Sequence, residues 1–102
     1  MAFPVIATFA VVADKAAAFE SAFQKLADSV KANEPGCLLY QLTKKSDTCY
    51  IVVEMWADKD ALANHEKQAY FMDFVGMLDD WLSDKPDIQA LSPVGSSGGS
   101  RL

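Results

Sequence analysis

The residues best suited to chemistry lie in the middle of the chain. The run Tyr50-Ile51-Val52-Val53-Glu54-Met55-Trp56 places one acid in an otherwise apolar segment, two residues before a tryptophan, and His65, the only histidine, follows nine residues after Trp56. In a strand, alternate residues share a face, so Tyr50, Val52, Glu54 and Trp56 fall together. A carboxyl buried beside an indole has a raised pKa, which suits an acid or base working near neutrality. Histidine is the side chain whose unperturbed pKa lies nearest physiological pH, which makes His65 the natural acceptor for a phenolic proton. Each feature also has a structural reading. Glu54 can simply accept a hydrogen bond from backbone or from Trp56, Trp56 can be core, and a lone helical histidine can be solvated or capping. Tyr70, Phe71, Phe74 and Met77 approach from a later helical segment, and together with Tyr50, Val52 and Trp56 are candidates for the wall of a substrate pocket. Cys37 has no activating partner in the sequence and reads as a packed thiol. One histidine and two distant cysteines supply no metal-ligand spacing, and no glycine-rich nucleotide fingerprint is present.

The elements that must position these groups are legible from periodicity. Phe3–Val12 is apolar on both faces and predicts a central strand. Asp14 is a candidate N-cap for a helix over residues 15–32, whose stripe is Phe19, Phe23, Leu26 and Val30. Glu34-Pro35-Gly36 stops that helix. Residues 37–44 and 49–56 form a hairpin across Lys45-Ser46-Asp47-Thr48, with Lys44 opposite Cys49. Asp58 caps a short helix to Glu66, and residues 69–82 form another with Phe71, Phe74, Val75, Leu78 and Leu82 on its apolar side. Ile88, Ala90 and Leu91 give a last short strand. The order βαββαβ predicts a ferredoxin-like α+β sandwich, a four-stranded antiparallel sheet with helices on one face. The domain covers residues 1–94, and the Gly/Ser-rich residues 95–102 read as a flexible tail.

Composition narrows the partners. A formal charge of −5 over 102 residues disfavours nucleic acid and anionic membranes, and Arg101, the only arginine, lies in the tail, so phosphorylated substrates are disfavoured too. Residues 1–13 lack the basic start of a secretory signal, and no segment approaches the roughly 20 apolar residues of a membrane span. In the predicted hairpin Cys37 and Cys49 are separated by seven strand positions, roughly 23 Å, which excludes a disulfide between them. Two free thiols fit a reducing cytoplasm. Because two strands are apolar on both faces, the helix-free side of the sheet needs a cover, and a second copy of the same sheet predicts an obligate homodimer.

The segment Glu34-Pro35-Gly36-Cys37-Leu38, Tyr40 on the following strand, Glu54-x-Trp56 and His65 together resemble the antibiotic biosynthesis monooxygenase domain of the dimeric α+β barrel superfamily, over residues 3–94. The resemblance implies a cavity between sheet and helices and, in many members, oxygenation of quinols or anthrones without metal or flavin. On that basis His65 and Glu54 are the expected catalytic pair. The other substrate-binding candidates are Trp56, Tyr50, Val52, Tyr70, Phe71 and Phe74, and the substrate is a small electron-rich aromatic with O2. Other members isomerise small carbonyl compounds or degrade haem. Haem-degrading members carry an asparagine on the first strand, which here reads Val5-Ile6-Ala7-Thr8-Phe9-Ala10. An acid/base isomerase and a non-catalytic binder of small hydrophobic ligands are the alternatives.

Overall fold

A computed structural model describes residues 2–95. The chain runs β1 (Phe3–Ala10), α1 (Ala16–Asn33), β2 (Cys37–Ser46), β3 (Cys49–Trp56), α2 (Lys59–Glu66), α3 (Ala69–Trp81) and β4 (Asp87–Ala90). All four strands join one antiparallel sheet in the order β2-β3-β1-β4, so β1 is central as expected and the ferredoxin-like α+β fold stands. In β1 and β3, burial alternates with the pleat. Val5, Ala7 and Phe9 on one strand, and Tyr50, Val52, Glu54 and Trp56 on the other, face the helices. The stripe Phe19, Phe23, Leu26 and Val30 of α1 packs onto them, and Phe74 and Leu78 of α3 complete the core.

Local differences from the sequence reading have clear causes. β1 stops at Ala10, because Val11 is drawn into an isolated bridge with Leu82. Asp14 does not cap α1: a 3₁₀ turn over Ala13–Lys15 feeds directly into the helix, and Lys15 at the N-cap makes no side-chain bond. Asp58 does cap α2, its Oδ1 accepting from Ala61 N–H at 2.8 Å. The hairpin is longer and its turn tighter than expected. Ser46 pairs with Cys49 and Lys44 with Tyr50, with irregularities between Lys44 and Ser46 and between Cys37 and Leu39. On α3, Val75 is exposed and Phe71 and Leu82 are half-buried, so the apolar side is narrower than its sequence suggests. Leu91 lies past the end of β4, although its N–H still donates to Pro4 O at 2.9 Å. Cys37 and Cys49 are both free thiols. No helix among the described residues is long and apolar enough to cross a membrane. The tail expected over residues 95–102 lies, from Ser96 onward, outside the described residues.

The face of the sheet away from the helices carries Ile6, Leu39, Ile51, Val53 and Met55, all only partly buried. The helix-covered face holds the polar groups that matter below.

Candidate active site

Between the sheet and α2/α3 lies a cavity of about 350 Å³. Its floor is Val5, Ala7, Phe9 and Val52 from the central strands, its inner wall Phe23 and Phe74, and its rim Val75, Pro86, Ile88 and Ala90. Against this apolar lining stand Tyr40, Glu54, His65 and Glu66. A larger open groove of about 540 Å³ between α1 and β2 carries Glu34 and Tyr40 but neither His65 nor Glu54. The smaller cavity is therefore where ionisable groups and an apolar lining meet.

His65 is held from three sides. The Asp58 cap and the short α2 place it in the last turn of the helix, where it is only 2% exposed. Its Nδ1 lies 3.1 Å from both carboxylate oxygens of Glu34, and its Nε2 lies 3.4 Å from the Tyr40 hydroxyl. The ring also packs between Trp56, with centroids 4.6 Å apart, and Phe71 at 4.4 Å. Glu34 sits at the end of α1, where Pro35 and Gly36 turn the chain into β2. It is 4% exposed and also accepts a hydrogen bond from the Tyr70 hydroxyl. Because a carboxylate oxygen accepts, Nδ1 carries a ring hydrogen, which in the neutral imidazole leaves Nε2 as the acceptor facing Tyr40. Burial, then its bond to Glu34, pushes the Tyr70 phenol up to about 12.

The turn beneath α2 is close-packed. A Cβ built on Gly36 would lie 2.7 Å from the Ala61 Cβ, so only glycine lets β2 begin this near to the helix carrying His65. The Gly36 carbonyl accepts from Ala57 N–H at 2.8 Å, which ties this turn to the end of β3.

Glu54, opposite Tyr40 in the hairpin, accepts from Trp56 Nε1 at 2.9 Å. Burial pushes its carboxyl up to about 7, the indole bond opposes this, and the nearby Glu66 charge adds to it. Burial also moves the Tyr40 phenol well above its ordinary range and the Cys37 thiol to about 11, so Cys37 is a packed thiol in a setting that disfavours thiolate.

Of the residues singled out in the sequence, Val52, Glu54, His65, Phe71 and Phe74 meet at the cavity. Four others, Trp56, Tyr70, Tyr50 and Met77, do not line it. Trp56 is fully buried behind Glu54 and His65, bracing both. Tyr70 reaches Glu34 on the far side of His65. Tyr50 points along the sheet to the start of α1, where its hydroxyl donates to Glu20. Met77 is exposed on the surface between α1 and α3. Two residues quoted for their place in the chain, and given no role, turn out to touch His65: Glu34 and Tyr40. The available signal was an acid immediately before a Pro-Gly turn, which reads equally well as a helix stop. Among the described residues no cluster of three His, Cys, Asp or Glu side chains is placed to hold a metal ion.

Comparison with known proteins gives the geometry a context. A candidate antibiotic biosynthesis monooxygenase from Caulobacter crescentus superposes with a TM-score of 0.85 at 41% identity, covering 91% of this chain and 90% of that one. A protein from Pseudomonas aeruginosa gives 0.80 at 25% identity over 91% and 94%. A protein from Mycobacterium tuberculosis gives 0.86 at 19% identity over 95% and 99%, a likeness of fold alone. No curated protein matches the chain. Residues 2–77 match the family described as antibiotic biosynthesis monooxygenase, and the chain belongs to that family.

Proposed function

We propose that the protein is a monooxygenase that uses neither metal nor flavin and oxidises a small electron-rich aromatic, a quinol, anthrone or polyphenol, with O2. The observation that carries this reading is a buried imidazole, braced by a carboxylate at Nδ1, on the wall of a cavity lined mainly by apolar side chains. Ground-state O2 is a triplet and reacts slowly with closed-shell molecules. A substrate that loses a proton becomes a delocalised anion able to donate an electron to O2, so the protein's task is deprotonation in a dry site. His65 takes that proton with Glu34 behind it. Glu54, whose carboxyl is half protonated near neutrality, faces the same space as a proton donor. The substrate anion and O2 combine into a peroxide, and the stored proton returns as the O–O bond breaks. For an anthrone the sum is a ring CH2 plus O2 giving C=O plus H2O; for a quinol a ring C–H becomes C–OH and the two hydroxyls become carbonyls, again with one H2O released and all four electrons drawn from the substrate. Phe71, Phe74 and Val52 orient the ring system.

The test is oxygen uptake by chelator-treated protein against dihydroxynaphthalenes, quinols and anthrones. Enzyme-dependent uptake that survives chelation supports the proposal. No uptake above background, or uptake lost with the chelated metal, overturns it.

The raised carboxyl of Glu54 carries a stability signature. An acid whose folded pKa is about 7 against an ordinary 4.5 binds its proton more tightly in the folded state. Its ionisation therefore withdraws stability as pH rises from about 4.5 through 7. Across that window the loss is roughly 3 kcal/mol at most. Urea melts should find Glu54→Gln flatter with pH than the native chain. Parallel curves for the two proteins would count against the shifted carboxyl.

The same reading includes a homodimer in which the face carrying Ile6, Leu39, Ile51, Val53 and Met55 meets its copy. Partly exposed apolar residues across three adjacent strands support it. Light scattering at micromolar concentration should return twice the 11.1 kDa chain mass, and a monomer would remove it.

A further inference from the structure

Both nitrogens of the proposed base are already occupied. Nδ1 of His65 is spent on Glu34, and Nε2 faces the hydroxyl of Tyr40, a residue that lines the cavity, at 3.4 Å. Trp56 and Phe71 pack against the ring, and the residue is 2% exposed. A substrate hydroxyl entering the cavity thus meets the Tyr40 oxygen across the lone pair of His65. Tyr40 itself is fixed: its ring stacks on Phe23 with centroids 5.1 Å apart and planes 20° from parallel, and it packs edge-on to Trp56 and His65. Swinging it aside would break three ring contacts.

We propose that Tyr40 is the catalytic residue that touches the substrate hydroxyl and relays its proton to His65, while Glu34 is a positioning residue that fixes the acceptor nitrogen and holds the charge that results. The step is a concerted shift along two hydrogen bonds. The substrate O–H bond breaks as a new O–H forms on Tyr40, and the Tyr40 O–H breaks as N–H forms on Nε2. The products are the substrate anion and an imidazolium beside Glu34, and Tyr40 ends neutral. Concerted transfer suits the surroundings, since burial and the acids facing the phenol all oppose a standing tyrosinate: Glu54 from β3, Cys37 from β2, Glu34 from the end of α1 and Tyr70 from α3. Glu66 at the end of α2 lines the same cavity and adds negative charge near Glu54. This inference rests on the assignment of His65 as proton acceptor but does not need oxygen to be the second substrate.

The experiment is therefore run first without oxygen, with 2-hydroxyanthraquinone, a flat phenol whose anion is coloured and which is not itself consumed. Native protein should bind it and lower its apparent pKa by about one unit or more. Tyr40→Phe keeps the stack on Phe23 and should bind the dye within a few-fold of native while leaving its apparent pKa near the free value. Glu34→Gln keeps an acceptor for Nδ1 but loses the charge, and should lose most of the dye's shift, which a merely structural carboxylate would not. Thermal melting checks that each variant is folded, and if Tyr40→Phe is not, Tyr40→Trp, which also lacks the hydroxyl, takes its place. With substrate and O2, Tyr40→Phe should lower kcat by about 100-fold with KM little changed. A Tyr40→Phe protein that ionises the dye as native does, or turns over as fast or faster, means that His65 acts directly and overturns the relay. So does a native protein that leaves the dye unbound or uncharged. Tyr40-dependent ionisation without oxygen uptake on any substrate upholds the relay and removes the monooxygenase reading alone.

Discussion

Replacing His65 by alanine should lower kcat by roughly a hundred- to ten-thousand-fold, the range in which a positioned general base contributes. The acceptor lone pair disappears, and water admitted to the gap is a much weaker base. The same change has a second cost. Glu34, 4% exposed, keeps only Tyr70 as a side-chain partner, and an under-satisfied buried carboxylate costs about 1–3 kcal/mol. Single-turnover kinetics at 10 °C, where the variant remains folded by circular dichroism, separate the two losses. Turnover within threefold of native at that temperature would take His65 out of the chemistry.

Phe19→Ala should do the reverse. Phe19 is completely buried and its ring is surrounded by Phe9, Tyr50, Phe74 and Trp81, at centroid distances of 5.5, 5.0, 6.0 and 6.4 Å. Truncating such a phenylalanine costs about 3–5 kcal/mol, through lost transfer energy and an unfilled cavity. Against the roughly 5–15 kcal/mol that stabilises a typical domain, that is about a fifth or more of the total. The aromatic cluster joins β1, α1, β3 and α3, and none of its members touches His65 or Glu54. The residual folded population should keep native KM, and equilibrium urea unfolding reads the loss. A change below 1 kcal/mol would mean that the neighbouring rings collapse into the space.

These two residues also mark what the sequence discloses. Phe19 belongs to a stripe at spacings of four, three and four, and the periodicity that predicts its helix predicts its burial. The strands and their order follow in the same way, because β-branched and aromatic runs between Pro-Gly and Asp-Thr turns have few alternatives. Glu34 is different: its partners His65 and Tyr70 stand 31 and 36 residues away, and no local pattern links them. The hairpin adds a subtler case. With Lys44 opposite Cys49, as the sequence suggests, Tyr40 would fall opposite Val53 and face away from the helices. The irregularity between Lys44 and Ser46 shifts the pairing by one, sets Tyr40 opposite Glu54, and turns its ring into the cavity. Polar turn residues mark where a hairpin reverses but not how many of them the turn consumes. Trp56, Tyr50 and Tyr70 show a related limit, since phase along a strand or helix selects a face and not the part of that face where a cavity opens.

The contact of Gly36 with Ala61 has a consequence for how this site can vary. Two positions 25 residues apart share one allotment of space, enough for a single methyl group between them. Positions 36 and 61 therefore form one character spread over two places: a chain that gains a methyl at the first keeps the same approach of turn to helix only by giving one up at the second. Such a constraint leaves the cavity rim, with Val75, Ile88 and Ala90 in open surroundings, free to drift toward new ligands, while the spacing between the turn and the helix bearing His65 stays fixed.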